Sequence, residues 1–469
     1  MGTKLLVRCY NVGCGDCIYV RIPNGDDAFH ILIDCGSKEG ANTGVMKDAI
    51  KHLEENMLPE VDDGSGKKRL DMIVVSHRHE DHIKGFNPKF FKNITIGHIW
   101  LSAAMDKTHV QATGALALHD FAEEAMTGLA ASGAALSPEL RDLAEFYGIN
   151  NSGATEALLK TLPQASGIET KYVFAGMTSD DFNIEIEDTK LIVLGPEKDI
   201  DGYYLGEDLD VSLKGMLNAA GSFRSTSTPV EEGGPTNISS ADFRTLQSRM
   251  LSNGLAFAVD DSSIQNNVGA VLLIEWGERR LLFVGDIEWH SEYKEGRKNG
   301  SWNVMWEKQR AHLDKPIDFL KVGHHGSHNA TPWNRDDPEH EVNQLLDAIL
   351  PLPEPGKKPT AQAIVSTKRK QYVTIPDAEL LSELGKRVAN TRQYLSEFKN
   401  ADGDFNPDEH IFNYSVMKKY SADPSPREVG DKGWLDKPQP WRTDMESAGK
   451  ALKNMQKNVV EFVDVEIEA

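Results

Sequence analysis

The sequence predicts an α/β protein. Apolar runs of strand length alternate with helical stretches in both halves of the chain, the pattern of helices layered on sheets. The run Met72–Val75 stops abruptly at Ser76–His82, as a buried strand does when it feeds a loop. Two strong strands late in the chain, Ala270–Trp276 and Arg280–Val284, also run straight into loops. Hydrophobic pattern alone leaves two arrangements open: two sheets between outer helices, or one doubly wound sheet.

The elements follow in order. Strand-like runs at Leu5–Val12, Cys17–Ile22 and Phe29–Asp34 are separated by turn residues at Gly13–Asp16 and Pro23–Asp27. A helix is expected around Met46–Asn56, then strands at Met72–Val75 and Ile94–Ser102. From 103 to 170 the chain is Ala- and Leu-rich with helical spacing, as in HDFAEEAM and SPELRDLAEFYG, which predicts a helical insertion. Strands resume at Lys171–Phe174, Phe182–Ile186 and Leu191–Leu194. Residues 200–265 contain GSFRSTSTPVEEGGPTN and read as a polar loop. Strands Phe319–Val322 and Ala363–Ser366 then alternate with helices near 301–313, 338–349 and 377–389. A main domain over 1–400 is expected, followed by a charged C-terminal extension over 401–469 that closes on strand-like Val459–Val465.

The 469 residues carry 51 Lys+Arg against 72 Asp+Glu, a net charge of −21. A surface of that sign repels phosphate backbones, so a broad duplex-DNA-binding face is not expected. No run reaches the roughly 18 to 20 apolar residues that a bilayer crossing needs, and no membrane partner is expected. MGTKLLVRCY lacks the features of a secretory signal, so the expected location is cytoplasmic. The four cysteines, Cys9, Cys14, Cys17 and Cys35, all lie early. Without a second C-x-x-C at zinc-ribbon spacing they read as small buried hydrophobes.

The string SHRHEDHIKG at 76–85 carries the chemistry. His77, His79, Asp81 and His82 fall within six positions at the end of a buried strand. Imidazole with carboxylate suits Zn²⁺ and related first-row ions, whereas a hard-cation site uses oxygen alone. His77 and His79 can turn toward one ion, and Asp81 and His82 can reach a second.

This string resembles the H-x-H-x-D-H signature of the metallo-β-lactamase-fold hydrolases. Further segments resemble the branch that includes the hydrolase domain of the bacterial competence DNA-uptake channel. They are NVGCGDCIYV (11–20) with Gly15 and Asp16, ILIDCG (31–36) with Asp34, LLFVGDIE (281–288) with Asp286, and FLKVGHHGSHNAT (319–331). The resemblance implies an αββα sandwich and two divalent ions of zinc type, with Mn²⁺ as the alternative. It assigns His77 and His79 to one metal, Asp81 and His82 to the other, and Asp286 as the bridge. A histidine of the HHGS loop completes the second site. His325 is favoured as that ligand and His324 as its substrate-facing neighbour, though spacing alone does not decide between them. Gly195 stands where many members place a third histidine for the first metal, and His98, His109 and His119 read as structural or surface residues.

Two divalent ions about 3.5 to 4 Å apart share a water and lower its pKa toward about 7. After Asp81, Asp286 and one hydroxide are counted, a residual positive charge remains, which favours an anionic substrate. The expected reaction is therefore hydrolysis of a phosphodiester in a nucleotide or a single-stranded nucleic acid, with Asp81 and His324 as catalytic groups. Ser327, Thr331 and Asn267 are the candidate substrate contacts; loop capping is the alternative role of the Ser and Thr. Lys321, one strand position before the loop, is as readily an outward-snorkelling lysine. The same cleft chemistry serves an ester, thioester or lactam hydrolase. A non-catalytic, metal-stabilised binding module is the third reading.

Overall fold

A computed structural model describes residues 4–38, 44–131, 143, 147, 153–207, 255–367, 375, 377–389, 460 and 462–469. Among them, strands β1 (Lys4–Tyr10), β2 (Cys17–Asn24), β3 (Asp27–Cys35), β4 (Lys68–Val75), β5 (Ile94–Ser102), β6 (Thr170–Val173) and β12 (Phe462–Glu468) form one sheet, in the order β12-β1-β2-β3-β4-β5-β6. A second sheet has the order β11-β10-β9-β8-β7, built from β7 (Thr189–Gly195), β8 (Val271–Trp276), β9 (Arg279–Phe283), β10 (Phe319–Lys321) and β11 (Gln362–Ile364). Both sheets are mixed. The β3-β4-β5-β6 and β9-β10-β11 neighbours are parallel, and the remaining pairs are antiparallel.

Side-chain alternation stacks these sheets. In β1, Leu5 and Val7 face the second sheet while Leu6 and Tyr10 face outward; in β4, Met72 and Val74 oppose Ile73 and Val75. β8 and β9 do the same, with Leu272, Ile274, Leu281 and Phe283 inward and Val271, Leu273 and Leu282 outward. Each outer face is covered by helices whose apolar residues recur at helical spacing. Met46, Ala49, Ile50 and Leu53 of Val45–Asn56 cover the first sheet. Trp302 and Met305 of Ser301–Lys308, with Leu345, Leu346 and Ile349 of Glu341–Ile349, cover the second. Strand period two and helix period 3.6 thus produce three apolar interfaces in four layers. This is the αββα sandwich, and it removes the doubly wound alternative.

Several expectations are corrected. Phe182–Ile186 is not a strand. Thr178 and Asp181 form a capping box that starts a 3₁₀ turn at Ser179–Phe182, and Asn183 ends it in the left-handed region at φ 54°. The expected polar loop is partly helical, since residues 255–267 form a helix. Phe257, Ala258, Asp261, Ile264 and Gln265 are all buried there at helical spacing. Residues 208–254, which include GSFRSTSTPVEEGGPTN, lie outside the described residues, as do most of 132–152 within the expected helical insertion. The insertion's described helices are Thr113–Ala131 and a run from Gly153 to Ser166.

The chain's last strand also differs from expectation. β12 pairs with β1 from Lys4↔Glu468 to Tyr10↔Phe462, so a boundary at 400 would cut it from the sheet it completes. Arg8 anchors it, donating to both Asp464 oxygens at 2.7 and 2.6 Å while stacking 3.5 Å over Phe462. Residues 401–459 lie outside the described residues. All four cysteines are buried and free. No helix among the described residues is long and apolar enough to cross a membrane.

Candidate metal centre

The site gathers at the carboxyl ends of β3, β4, β9, β10 and β11, where open α/β sheets place ligands. β4 ends at Val75 and hands the chain to Ser76, His77 and extended His79, which precedes the single helical turn Glu80–Ile83. Asp34, at the end of β3, accepts hydrogen bonds from Ser76 N–H at 2.7 Å and Ser76 Oγ–H at 2.6 Å. Two close approaches require glycine. A Cβ on Gly36 would overlap the backbone of Asp81 and His82, and Gly285 has φ +54° with Ser76 against it.

The ligand-type atoms converge. One donor atom from each of Asp81, His82, Asp286 and His325 lies within 4.8 Å of all the others, and all four residues are buried. His82 Nε2 is 3.2 Å from Asp286 Oδ1, and His325 Nε2 is 3.1 Å from Asp81 Oδ2 and 3.9 Å from Asp286 Oδ2. Beside this group His77 Nε2 and His79 Nδ1 are 3.0 Å apart. Two nitrogens on one tetrahedral zinc at the usual bond lengths would be about 3.4 Å apart. The His77 and His82 rings lie 4.1 Å apart between centroids, so the pair and the foursome adjoin.

Whether these residues suit metal ions is decided by what else they touch. His82 Nδ1 faces Asp34 Oδ2 at 2.8 Å, His325 Nδ1 faces Ser366 O at 2.8 Å, and His77 Nδ1 faces Ser76 Oγ at 3.0 Å. Each of these rings is held from behind by Nδ1 and turns Nε2 inward, the arrangement that orients metal-binding imidazoles. Asp81 Oδ1 and His82 Nε2 are buried without a hydrogen-bond partner. His82 Nε2 is near Asp286, but lacks hydrogen-bond alignment. Orphaned buried polar atoms are costly, and both belong to residues of the foursome. The residues fit metal ions.

The electrostatics agree. Burial alone would raise Asp81 and Asp286, yet both are held well below the carboxylate range, Asp81 by Lys38 and His325 and Asp286 by His82 and His325. Burial likewise works against charge on His82 and His325. Asp286 and Asp34 push His82 upward, and Cys14, Asp286 and Asp81 push His325 upward. On His77 and His79 burial outweighs the upward push of Asp81 and Asp286 and lowers both, His79 to about 4. A field that draws protons onto two imidazoles draws metal cations to the same nitrogens.

The remaining expected residues are placed as follows. His325 joins the foursome, whereas His324 stays outside it with Nδ1 2.9 Å from Glu288 Oε1. Asn267 is committed to the scaffold. Its Oδ1 accepts from Glu288 N–H at 3.1 Å and Ser301 N–H at 2.8 Å, and its Nδ2 donates to Ser263 O. Ser327 Oγ donates to Asn329 within its own loop. Thr331 is fully buried, with an Oγ1 that has no hydrogen-bond partner. His109 binds Lys198 O, and His119 binds Asp261 in the insertion.

Lys321 does not snorkel. It is 1% exposed and its Nζ donates to Asp16 Oδ2 at 2.7 Å. Sequence reasoning missed two neighbours of the site. Lys38 Nζ is 3.3 Å from Asp81 Oδ2, and Glu288 backs His324. Glu288 stands in the quoted string LLFVGDIE, but nothing in spacing ties it to a histidine 36 residues on.

No family model and no curated protein matches the chain. Among solved structures, one similar to it is the metallo-β-lactamase fold protein YhfI from Bacillus subtilis. That pair is 10% identical over 68% of this chain and 71% of that one, with a TM-score of 0.25. Another is the hydrolase AbOPH in the β-lactamase superfamily, 14% identical over 64% of this chain and 68% of that one, with a TM-score of 0.27. A likeness at this level carries no argument about activity. The case for a metal centre rests on the geometry of the chain's own residues.

Proposed function

We propose that the chain is a metal-dependent hydrolase of the metallo-β-lactamase type, acting on a phosphodiester in a nucleotide or a single-stranded nucleic acid. The observation that carries this reading is the buried foursome Asp81, His82, Asp286 and His325, two of whose buried polar atoms have no hydrogen-bond partner. In this reading His77 and His79 would hold one ion and Asp81, His82 and His325 the other, with Asp286 available to both. Bound divalent ions would lower the pKa of water toward neutrality and polarise the scissile phosphoryl group.

Charge supports bound cations. The cleft holds five buried carboxylates (Asp16, Asp34, Asp81, Asp286 and Glu288) against the ammonium groups of Lys38 and Lys321. With the imidazoles neutral, as metal ligands are, that leaves a formal charge of about −3, which bound cations would offset. Two divalent ions would bring the cleft to about +1, and to about neutral once one hydroxide is counted. Around them the protein's own groups orient and position: Asp34, Ser76 and Ser366 fix the rings, Lys38 adds positive charge beside Asp81, and His324 faces the substrate.

The test is metal analysis together with hydrolysis of bis(p-nitrophenyl) phosphate by wild type and Asp81→Ala. Metal bound by the wild type, with cleavage that chelation abolishes, and both reduced in the variant, is the expected result. Full activity in Asp81→Ala would remove that residue. Turnover of thioesters or lactams without phosphodiesters would replace the substrate class, and metal binding without any turnover would leave a binding module.

A further inference from the structure

His324 is singled out by its surroundings. The side chains of His82, His325, Asp81 and Asp286 are at most 2% exposed, whereas that of His324 is 20% exposed. It stands at the mouth of the cage. Its backbone is fixed in an uncommon conformation: His324 and His325 have φ 41° and 53° in succession, a left-handed pair that side chains rarely adopt. His324 N–H is shared between Gly285 O and Asp286 Oδ1, each at 3.1 Å. The loop that supplies His325 to the cage therefore also dictates where the His324 ring can reach.

We propose that Glu288 is the positioning residue for His324, accepting its Nδ1–H so that Nε2 is presented to the substrate. The inference rests on the hydrolase reading above and deepens it. Glu288 Oε1 lies 2.9 Å from His324 Nδ1, and Glu288 itself is 7% exposed. Its second oxygen is 4.0 Å from His290 Nε2. Its backbone is pinned by Asn267, whose Oδ1 accepts from both Glu288 N–H and Ser301 N–H. One asparagine thus ties the loop after β9 to the helix Ser301–Lys308, and the carboxylate faces His324 with one oxygen and His290 with the other.

A carboxylate accepts hydrogen bonds and donates none, so it selects the imidazole form that carries hydrogen on Nδ1. Nε2 is then the atom left for the substrate. An imidazole without that acceptor interchanges forms and rotates, and its Nε2 is misplaced for much of the time.

The experiment is long-range ¹H–¹⁵N spectroscopy of the full chain at alkaline pH, with the His324 signals assigned by their loss in His324→Asn. The wild type is expected to show hydrogen on Nδ1. Glu288→Gln, whose side-chain carbonyl still accepts, is expected to keep that form, and Glu288→Ala to lose it. With metal loaded, kcat for bis(p-nitrophenyl) phosphate is expected to fall about tenfold to a hundredfold in Glu288→Ala, with KM held within about twofold. Glu288→Gln should lose about threefold at most.

Hydrogen on Nε2 in the wild type overturns the proposal, as does an unchanged form in Glu288→Ala. Equal losses of kcat in the two variants also overturn it. If Glu288→Ala does not fold, the wild-type and Glu288→Gln spectra decide. The spectra need no substrate. A chain that cleaves no phosphodiester yet shows the Glu288-dependent form upholds the positioning and refutes only the substrate reading.

Discussion

Replacing Lys321 by Met should strip the protein of a large share of its stability. Met keeps most of the side-chain length and volume but removes the ammonium. In the native protein that ammonium donates to Asp16 Oδ2 at 2.7 Å and to Val322 O at 3.0 Å, with both charged side chains 1% exposed. Burial lowers the lysine, but Asp16 more than offsets it, so the ammonium keeps its charge. After the substitution Asp16 retains the Ser366 hydroxyl but has lost its counter-charge. Breaking one side of a buried ion pair costs about 3–5 kcal/mol. At about 1 °C per kcal/mol for a chain of 469 residues, Tm should fall by about 3–5 °C. The assay is thermal unfolding of wild type, Lys321→Met, Asp16→Asn and the double variant. Removing the second charge should restore about half of the loss or more. A shift below about 2 °C in Lys321→Met, or a double variant no better than the sum of the singles, would refute the argument.

Gly36→Ala should disable the centre without touching a ligand. Its Cβ would overlap the backbone of Asp81 and His82, so the Glu80–Ile83 turn must shift, at a cost of about 1–3 kcal/mol or more. Metal content by mass spectrometry should drop with the melting temperature; full occupancy would count against this. Stability should also depend on pH through His30, a 4% exposed residue that shares a 2.7 Å hydrogen bond with Tyr19. Burial pushes its imidazole down to about 4, against about 6.5 in the unfolded chain. The unfolded chain therefore binds more protons between those values, so this stabilisation is complete above about pH 6.5 and is lost as pH falls toward 4. The difference in unfolding free energy between wild type and His30→Asn should change by about 3 kcal/mol across that window. A flat difference would show that His30 is not held neutral.

The loop after β4 could be read directly because its information is local. An apolar run that stops at Ser76, followed by three histidines and an aspartate within six positions, needs no distant partner to be noticed. The strands β2, β5, β8 and β9 were legible for the same reason, since a short apolar run that ends in turn or loop residues is written in adjacent positions. The helix over 255–267 was not. Its buried face includes Asp261 and Gln265, polar residues that belong inside only because His119 and Tyr147 meet Asp261 there.

The sequence by itself determined the α/β alternation, the ligand chemistry of the first motif, and the charge that disfavours a duplex-binding surface. Tertiary structure alone decided which carboxylate serves which basic side chain: Asp34 behind His82, Glu288 behind His324, and Asp16 beneath Lys321. It also decided that the last strand, β12, belongs beside the first, β1. The physical reason is separation along the chain. Asp16 and Lys321 are 305 residues apart, and nothing in the spacing of either announces the other. A buried charge finds its partner only when the sheets close and exclude the water that would otherwise have solvated it.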